Sequence, residues 1–275
     1  MGEISIGAAI SHAPGITGWR SRADSQQADR FYAGAEKVRR ALEAAKPDVI
    51  VLICNEHFVN FYLNNMPAIC VGTGQSHFGP VEPEGWLGIP KRRIPGHPAF
   101  AGALVREALS SGFDLSFAEE LALDHGSMVP LYLVEPQTRI PVVPIIVNNV
   151  AEPMPLPGRI YQLGTLLRRV VAGRPKGESV AILGTGGLSH WVGTPEQGRI
   201  HVGFDESFLE LAAQGKGSEL ARWSPEEIGK GGNGAHEVRN WIGVMGAFPE
   251  VKAEVVAYEP VVQWATGCGA IIWTP

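Results

Sequence analysis

Apolar runs alternate with amphipathic segments along this chain. The first two runs are ISIGAAI at residues 4–10 and VIVLIC at residues 49–54. Between them, residues 29–45 carry an apolar residue at every third or fourth position, which predicts an amphipathic helix. Because VIVLIC is apolar at every position, we predict a strand covered on both faces. The chain therefore opens with a β-α-β unit.

The same alternation continues towards the C-terminus without a linker or a low-complexity tract. Further helices are predicted at residues 98–111, 159–172, 204–214 and 235–247, and further strands at 140–150, 179–184, 253–261 and 269–273. The pattern predicts an α/β fold, a single domain over residues 1–275 with a central mixed, mostly parallel sheet covered by helices on both faces. The Gly- and Pro-rich segment 72–98 is predicted to be a functional lid or an excursion at the sheet edge.

The composition excludes several classes of protein. The 275 residues are 45% hydrophobic, enough to bury a full core, and the formal net charge of -5 provides no basic surface for nucleic acid or an anionic membrane. No apolar run approaches the length of a membrane span. We therefore expect a soluble, cytoplasmic protein with neither a nucleic acid nor a membrane as partner. The three cysteines lack C-x-x-C spacing, so neither a disulfide framework nor a zinc ribbon is predicted.

Three histidines follow predicted strands. His12 comes after the first strand, His57 after the second, and His190 a few residues after the strand 179–184. The carboxyl ends of strands in an open α/β sheet lie along one edge, so these side chains are expected to converge. A single histidine is more often a hydrogen-bonded structural residue than a ligand. The repeated placement favours a shared site, and His77, His97, His201 and His236 are interpreted as structural.

The best carboxylate for such a site is Glu237, in the stretch GGNGAHEVRNW. It lies in the first turn of a predicted helix, where a carboxylate is also favoured by the positive helix N-terminus, by less than about 1 kcal/mol. Two imidazoles and one carboxylate with open positions suit non-haem Fe(II). His12, His57 and Glu237 are able to supply that set.

Five stretches, in order, carry a family resemblance. They are SHAPG, CNEHFVNFYLNNMPAICVG, LALDHGSMVPLYLV, GTGGLSHWVG and GGNGAHEVRNWIGVMGA. Together they resemble the class III extradiol ring-cleavage dioxygenases, in particular the protocatechuate 4,5-dioxygenase β-chain type. The resemblance runs from His12 to the YEPVVQWATGCG segment near the C-terminus.

The resemblance implies an assignment of roles. His12, His57 and Glu237 would be the ligands of Fe(II), His190 the catalytic acid-base, and His125 a residue lining the substrate pocket. The substrates would be O2 and a small aromatic diol similar to protocatechuate or gallate, whose ring opens beside the diol. We also expect a homo-oligomer. A small helical partner subunit over the site is absent, on another polypeptide, or replaced by a neighbouring protomer.

Other interpretations remain open from the residues alone. A zinc hydrolase or lyase would use the same three ligands, and an aminophenol or hydroxypyridone is an alternative substrate to the catechol. For His190 the alternative is a loop hydrogen bond, and for the Asp124-His125 pair it is the stabilisation of a turn. A nucleotide site at GTGGLSH is disfavoured because the lysine and the spacing of phosphate-binding loops are missing. Its glycines are instead predicted to bring the backbone close to a planar substrate. Loop residues that could bind a ring carboxylate are Arg20, Lys91, Arg92 and Arg93.

Overall fold

The apolar runs of the sequence form strands, and the amphipathic segments between them form helices. The computed structural model describes residues 1–137 and 139–275. Its strands are β1 Glu3–Ile10, β2 Val49–Asn55, β3 Ile69–Gly72, β4 Ser76–Gly79, β5 Arg92–Pro95, β6 Ser116–Ala118, β7 Val142–Val147, β8 Ser179–Thr185, β9 Ala253–Val261 and β10 Thr266–Trp273. Its α-helices are α1 Gly15–Gly18, α2 Ser25–Ala45, α3 Glu84–Leu87, α4 Pro98–Ser110, α5 His125–Val134, α6 Pro157–Ala172, α7 Val202–Ala213, α8 Gly217–Leu220, α9 Pro225–Gly229 and α10 Val238–Ala247. Short 3-10 turns span Arg20–Arg22, Gly234–Glu237 and Val262–Trp264.

Eight strands form one mixed sheet in the order β6-β3-β7-β2-β8-β1-β10-β9. The central strands β7, β2, β8 and β1 are parallel to one another. β3 is antiparallel to β7, and β10 and β9 extend the other side as an antiparallel pair. The predicted fold class, an α/β domain around a mixed, mostly parallel sheet, is confirmed.

The central strand β2 is buried on both faces, as its continuous apolar sequence predicts, and its successive side chains join two different core clusters. In β2, Val51 and Ile53 belong to one core cluster with side chains of α4, α6, α7 and α10. Ile50 and Leu52 belong to a second cluster with side chains of α2 and α5. Because successive side chains of a strand point to opposite faces, this sheet has helices on both sides.

The helix predicted at 29–45 begins four residues earlier, at Ser25. Asp24 causes this extension, because its carboxylate accepts a hydrogen bond from Gln27 N at 3.0 Å and caps the first turn. The helix ends at Lys46, whose backbone is left-handed with φ of 47°. Among the described residues, no helix has both the length and the hydropathy that crossing a bilayer would require.

Two regions contain elements that the sequence analysis did not predict. The segment 72–98, predicted to be a lid or an excursion at the sheet edge, contains the antiparallel strands β4 and β5 with α3 between them and is a small ordered unit. The helix α5 escaped prediction because it is apolar on all sides and contains Pro130. Asp124 starts this helix by accepting a hydrogen bond from Gly126 N at 2.9 Å.

His77 in β4 makes the fold sensitive to acid. Its side chain is only 2% exposed, and neither ring nitrogen has a hydrogen-bond partner among the described residues. Burial lowers the pKa of His77 to about 4. The folded state binds a proton on this ring less tightly than the unfolded chain does. The free energy of unfolding is therefore highest above about pH 6.5 and decreases as pH falls towards 4.

Replacing His77 should therefore flatten the pH dependence of stability. Between pH 6.5 and 4, the free energy of unfolding should decrease less in His77→Leu than in the wild type. The two decreases should differ by about 2 kcal/mol. Urea unfolding at a series of pH values measures this difference. The control is His201→Asn, which replaces an exposed histidine and keeps a capping acceptor at the start of α7. Equal pH slopes for His77→Leu and the wild type would contradict the explanation.

Candidate active site

Three neighbouring strands deliver the predicted histidines to one edge of the sheet. β2, β8 and β1 are adjacent and parallel, so their carboxyl ends open on the same point. His12 follows the end of β1, His57 follows β2, and His190 lies beyond the glycines after β8. The structure therefore brings these side chains together, as their positions after strands predicted.

Glu237 enters the same cluster from the 3-10 turn that precedes α10. Its carboxylate is buried, with Oε2 3.1 Å from His12 Nε2 and Oε1 3.4 Å from His57 Nε2. His190 Nε2 lies 3.7 Å from Oε2. Gly187 N donates a hydrogen bond to that same oxygen at 2.6 Å. One carboxylate thus faces the Nε2 atoms of three imidazoles.

Hydrogen bonds on the outer ring nitrogens orient two of these imidazoles. His57 Nδ1 donates to Asp124 Oδ2 at 2.8 Å. His12 Nδ1 lies 3.2 Å from the hydroxyl of Thr185 at the end of β8. Asp124 therefore has two tasks, since its other oxygen caps α5. From the sequence, Asp124 was noted only as the neighbour of His125. Its contact with His57 was not predicted, because the two residues are 67 positions apart in the sequence.

His190 and His125 are held in the same manner. His190 Nδ1 donates to the carbonyl of Leu188 at 2.9 Å. His125 Nδ1 donates to Glu82 Oε1 at 2.7 Å, and the backbone N of His125 donates to the same oxygen. Glu82 comes from the unit between β4 and β5, so this unit borders the histidine cluster. Nothing in the Gly- and Pro-rich sequence around Glu82 distinguished it beforehand.

The donated Nδ1 protons determine what the inner nitrogens can do. A neutral imidazole that donates from Nδ1 carries a lone pair on Nε2. In their neutral forms, His57 and His190 would direct lone pairs towards the Glu237 carboxylate, at 3.4 and 3.7 Å. Two acceptors facing each other repel unless a proton or a metal cation lies between them. Imidazole nitrogens with a carboxylate oxygen are donors suited to a divalent transition metal, so the residues fit a metal centre.

Charge and burial act in opposite directions on this cluster. Burial lowers the pKa of His12. For His57, burial opposes protonation, but the carboxylates of Asp124 and Glu237 outweigh it and hold the pKa well above its usual range. Burial also opposes protonation of His190, and Glu237 raises its pKa. Although burial favours a neutral carboxyl, His12 and His190 hold the pKa of Glu237 well below its usual range. The carboxylate therefore stays ionised inside the protein.

The glycines around His190 leave room for side chains of the cluster. A Cβ on Gly234 would lie 2.1 Å from His190 Nε2, and one on Gly187 would lie 2.8 Å from His190 Cε1. A Cβ on Gly186 would meet that of Glu237 at 2.8 Å. The sequence interpretation placed a planar substrate against such glycines. In the structure, the atoms that a Cβ at these positions would meet belong to His190 and Glu237 and, for Gly187, also to Thr266.

Buried amides tie α10 to the sheet beneath this cluster. Asn240 Nδ2 donates to Asn55 Oδ1 at 2.6 Å and to the carbonyl of Thr185 at 2.8 Å. Asn149 Nδ2 donates to the same Asn55 oxygen at 2.8 Å. Since Asn240 lies one helical turn after Glu237, these contacts fix the carboxylate relative to β2 and β8.

His125 lies beside the other histidines as well. Its ring stacks on His57 with centroids 4.4 Å apart and an interplanar angle of 19°, and it lies 5.6 Å from the ring of His12. One possible ligand atom of each of these three histidines lies within 4.8 Å of the others. The cluster therefore contains a second possible set of metal ligands, without Glu237.

The remaining candidates from the sequence lie elsewhere. His97 and His201 each cap a helix by accepting a hydrogen bond from a backbone N–H. Arg20 pairs with Asp29 at 2.8 Å on the surface. The three basic residues Lys91, Arg92 and Arg93 each contact a nearby oxygen of the chain. None of these contacts involves the histidine cluster.

Comparisons with known proteins place the chain in a family. The family model described as the catalytic LigB subunit of aromatic ring-opening dioxygenase matches residues 7–269. A 2,3-dihydroxyphenylpropionate/2,3-dihydroxicinnamic acid 1,2-dioxygenase of Klebsiella pneumoniae (strain 342) is 26% identical over 314 aligned residues, covering 95% of this chain and 96% of the relative. The protein of the same name from Escherichia coli (strain K12) is 25% identical over 311 residues, covering 95% and 96%.

A solved structure supports the fold independently. The uncharacterized protein JW3007 from Escherichia coli K12 superposes with a TM-score of 0.58 at 14% identity, covering 98% of this chain and 99% of that one. The two curated relatives are named for 2,3-dihydroxyphenylpropionate, so the finer resemblance to the protocatechuate type stays a prediction. The family match spans nearly the whole chain. The chain belongs to the LigB family, the catalytic subunits of aromatic ring-opening dioxygenases.

Proposed function

We propose that residues 1–275 form the catalytic domain of a non-haem, Fe(II)-dependent extradiol dioxygenase acting on a small catechol-type diol and O2. The observation that carries this proposal is the buried Glu237 carboxylate, which faces the Nε2 atoms of His12, His57 and His190. Dioxygenases of the LigB family are metal-dependent. The donor set suits Fe(II) and leaves positions for substrate.

The ligands in this proposal are His12, His57 and Glu237 rather than three histidines. Imidazole lone pairs lie in the plane of the ring. His57 and His125 are nearly parallel, at 19°, so their lone pairs run side by side instead of converging on one ion. The rings of His12 and His57 are nearly perpendicular, at 84°, and both Nε2 atoms approach Glu237. The carboxylate also supplies negative charge, which a divalent cation in a buried site requires.

His190 would move the protons of the reaction. When bound, ferrous iron would hold the two diol oxygens and lower the pKa of their hydroxyls. His190 Nε2 is free to accept a proton, because Nδ1 is already committed to the carbonyl of Leu188. The protonated ring would return that proton at Nε2 later in the reaction. The His125 ring would line the pocket, held in place by Glu82 and by stacking on His57.

The relatives suggest the side chain that the diol carries. Both curated relatives described above are named for a catechol with an acidic three-carbon substituent. We propose 2,3-dihydroxyphenylpropionate as the first diol to test, with protocatechuate and gallate next.

Oxygen uptake after anaerobic loading with Fe(II) tests the reaction class. The loaded protein should consume one O2 for each diol opened, with at least one of the three diols. The same chain loaded with Zn(II) is the control and should consume none, because zinc has no redox chemistry. Uptake with 2-aminophenol or a dihydroxypyridine alone would correct the substrate and keep the chemistry. Hydrolysis by the zinc form without oxygen uptake by the iron form would refute the dioxygenase proposal.

Variants of the cluster should separate ligands from the proton carrier. Glu237→Gln should retain less than about a tenth of the wild-type iron. Removing a hydrogen-bond partner of a ligand already lowers metal affinity about 10–100-fold, and losing the ligand itself should cost at least as much. His190→Ala should keep its iron and lose turnover by about 10²–10⁴-fold, the range for a general acid-base group. Iron per chain and oxygen uptake are measured on the same anaerobic samples. An iron-free His190→Ala beside an active Glu237→Gln would reverse the assignment.

The glycine beside His190 offers a gentler test of the same role. A Cβ at Gly234 would lie 2.1 Å from His190 Nε2, so Gly234→Ala must displace the ring. We expect turnover to fall by about tenfold or more, with iron retained. Gly229→Ala is the matched control, because nothing lies within 4 Å of a Cβ there. Full activity in Gly234→Ala would show that the position of His190 is not limiting.

A further inference from the structure

A buried carboxylate outside the histidine cluster contacts the segment that carries His190. Asp205, in the first turn of α7, has 0% of its surface exposed. Among the described residues, no arginine, lysine or histidine nitrogen lies within 4.0 Å of its carboxylate. A buried carboxylate is costly unless hydrogen bonds satisfy it. The hydrogen-bond partners of Asp205 therefore show which part of the structure its carboxylate holds in place.

Three donors satisfy Asp205. Ser189 N donates to Oδ1 at 2.6 Å, and the Ser189 hydroxyl donates to Oδ2 at 2.9 Å. The hydroxyl of Tyr258, from β9, donates to Oδ2 at 2.8 Å. Ser189 Oγ also accepts a hydrogen bond from His201 N at 2.7 Å, which leaves its single proton for Asp205. Two of the three donors belong to the residue immediately before His190.

The segment 188–190 is fixed on its other side by backbone hydrogen bonds. Gly267 N, in β10, donates to the carbonyl of Ser189 at 2.9 Å, and Leu188 N donates to the carbonyl of Gly267 at 3.0 Å. His190 N donates to the carbonyl of Gly231 at 2.9 Å. The Leu188 carbonyl is also the acceptor for His190 Nδ1. The backbone that Asp205 holds thus sets both the place of His190 and the proton on its ring.

We propose that Asp205, acting through Ser189 with support from Tyr258, is a positioning residue for His190. The carboxylate holds the turn 188–190 so that the Leu188 carbonyl keeps His190 Nδ1 protonated and Nε2 directed at the site. The consequence for turnover rests on the proposed function, whereas the consequence for the His190 ring does not. The hydrogen-bond partners of Asp205 are Ser189 and Tyr258, and neither is a proposed metal ligand.

The chemistry of the three donors explains why a carboxylate is needed here. An ionised carboxylate only accepts hydrogen bonds, and all three partners of Asp205 donate. An asparagine in the same place would present its NH2 group either to Ser189 N or to the two hydroxyls. In either orientation at least one donor would lose its acceptor, at a cost of about 1–3 kcal/mol for a buried group. Burial raises the pKa of Asp205 to about 6, so the side chain is still an acceptor at neutral pH.

The kinetic test uses Asp205→Asn in the iron-loaded protein with 2,3-dihydroxyphenylpropionate and protocatechuate. We expect kcat to fall about tenfold to hundredfold, with KM for the diol and iron per chain unchanged within about twofold. Asp48→Asn is the matched control, because Asp48 also accepts a hydrogen bond from a serine backbone N, Ser179, at the opposite end of β8. It should leave kcat unchanged. Tyr258→Phe removes only one donor and should show a smaller loss, which keeps the test valid if Asp205→Asn fails to fold.

A double-mutant cycle distinguishes positioning from general stabilisation. If Asp205 acts through His190, adding Asp205→Asn to His190→Ala should lower kcat no further, because the group it positions is already absent. An additive loss in the double variant would overturn the proposal. So would a wild-type kcat in both Asp205→Asn and Tyr258→Phe.

A spectroscopic readout does not depend on activity. In full-length, metal-free protein with ¹⁵N-labelled histidine, at a pH above the raised pKa of His190 so that its ring is neutral, the ring signals of His190 are identified by their absence in His190→Ala. The wild type and Asp48→Asn should show a single Nδ1-protonated tautomer, whereas Asp205→Asn should show exchange between tautomers. An unchanged His190 signal in Asp205→Asn would refute the proposal. If no diol supports oxygen uptake by the wild type, the proposed function fails, while this spectrum still decides the role of Asp205.

Discussion

The contact between the Glu237 carboxylate and three imidazole Nε2 atoms is the constraint on which the rest of the site depends. The carboxylate is buried and ionised, and the nearest ring nitrogens lie 3.1–3.7 Å away. Such an arrangement of acceptors is unfavourable in an apolar interior without a cation to share. The protein holds it together by rigid attachments on every side. If the proposed metal binds here, its ligands are already held in place by the protein.

Those attachments come from distant parts of the chain and have a common design. Each imidazole is held through Nδ1, which leaves its Nε2 facing the Glu237 carboxylate. The buried amides of Asn55, Asn149 and Asn240 hold the turn of Glu237 against the sheet. The hydrogen bonds of Asp205 brace the turn of His190 in the same way. Because strands β1, β2 and β8 are adjacent and parallel, short attachments are enough to bring all these groups to one point.

Much of this organisation follows from the sequence, since apolar runs determine strands and strand ends determine where loops open. That logic located His12 and His57 correctly at the sheet edge. Position alone did not identify Glu237 as a site residue, because a carboxylate in the first turn of a helix is also explained by the positive helix N-terminus. The helix α5 was missed because a segment that is buried on all sides has no helical period to detect.

The supporting groups were beyond sequence reasoning for a different reason. Asp205 looks like an acidic residue favoured at a helix start, yet its partners Ser189 and Tyr258 lie 16 and 53 positions away. Glu82 lies in a segment whose glycines and prolines suggested only an irregular excursion, and it meets His125 across 43 positions. Hydrogen bonds between residues so far apart in the sequence depend on how whole helices and strands pack, and local sequence patterns do not encode that packing.

A crystal structure of the protein loaded anaerobically with Fe(II) tests the central claim most directly. We predict one iron bound by His12 Nε2, His57 Nε2 and the Glu237 carboxylate, with His190 and His125 nearby but not coordinated. Its bond lengths should be about 2.0–2.2 Å, as for other divalent metals on these donors. Iron bound instead by His12, His57 and His125, with the Glu237 carboxylate turned away, would contradict it.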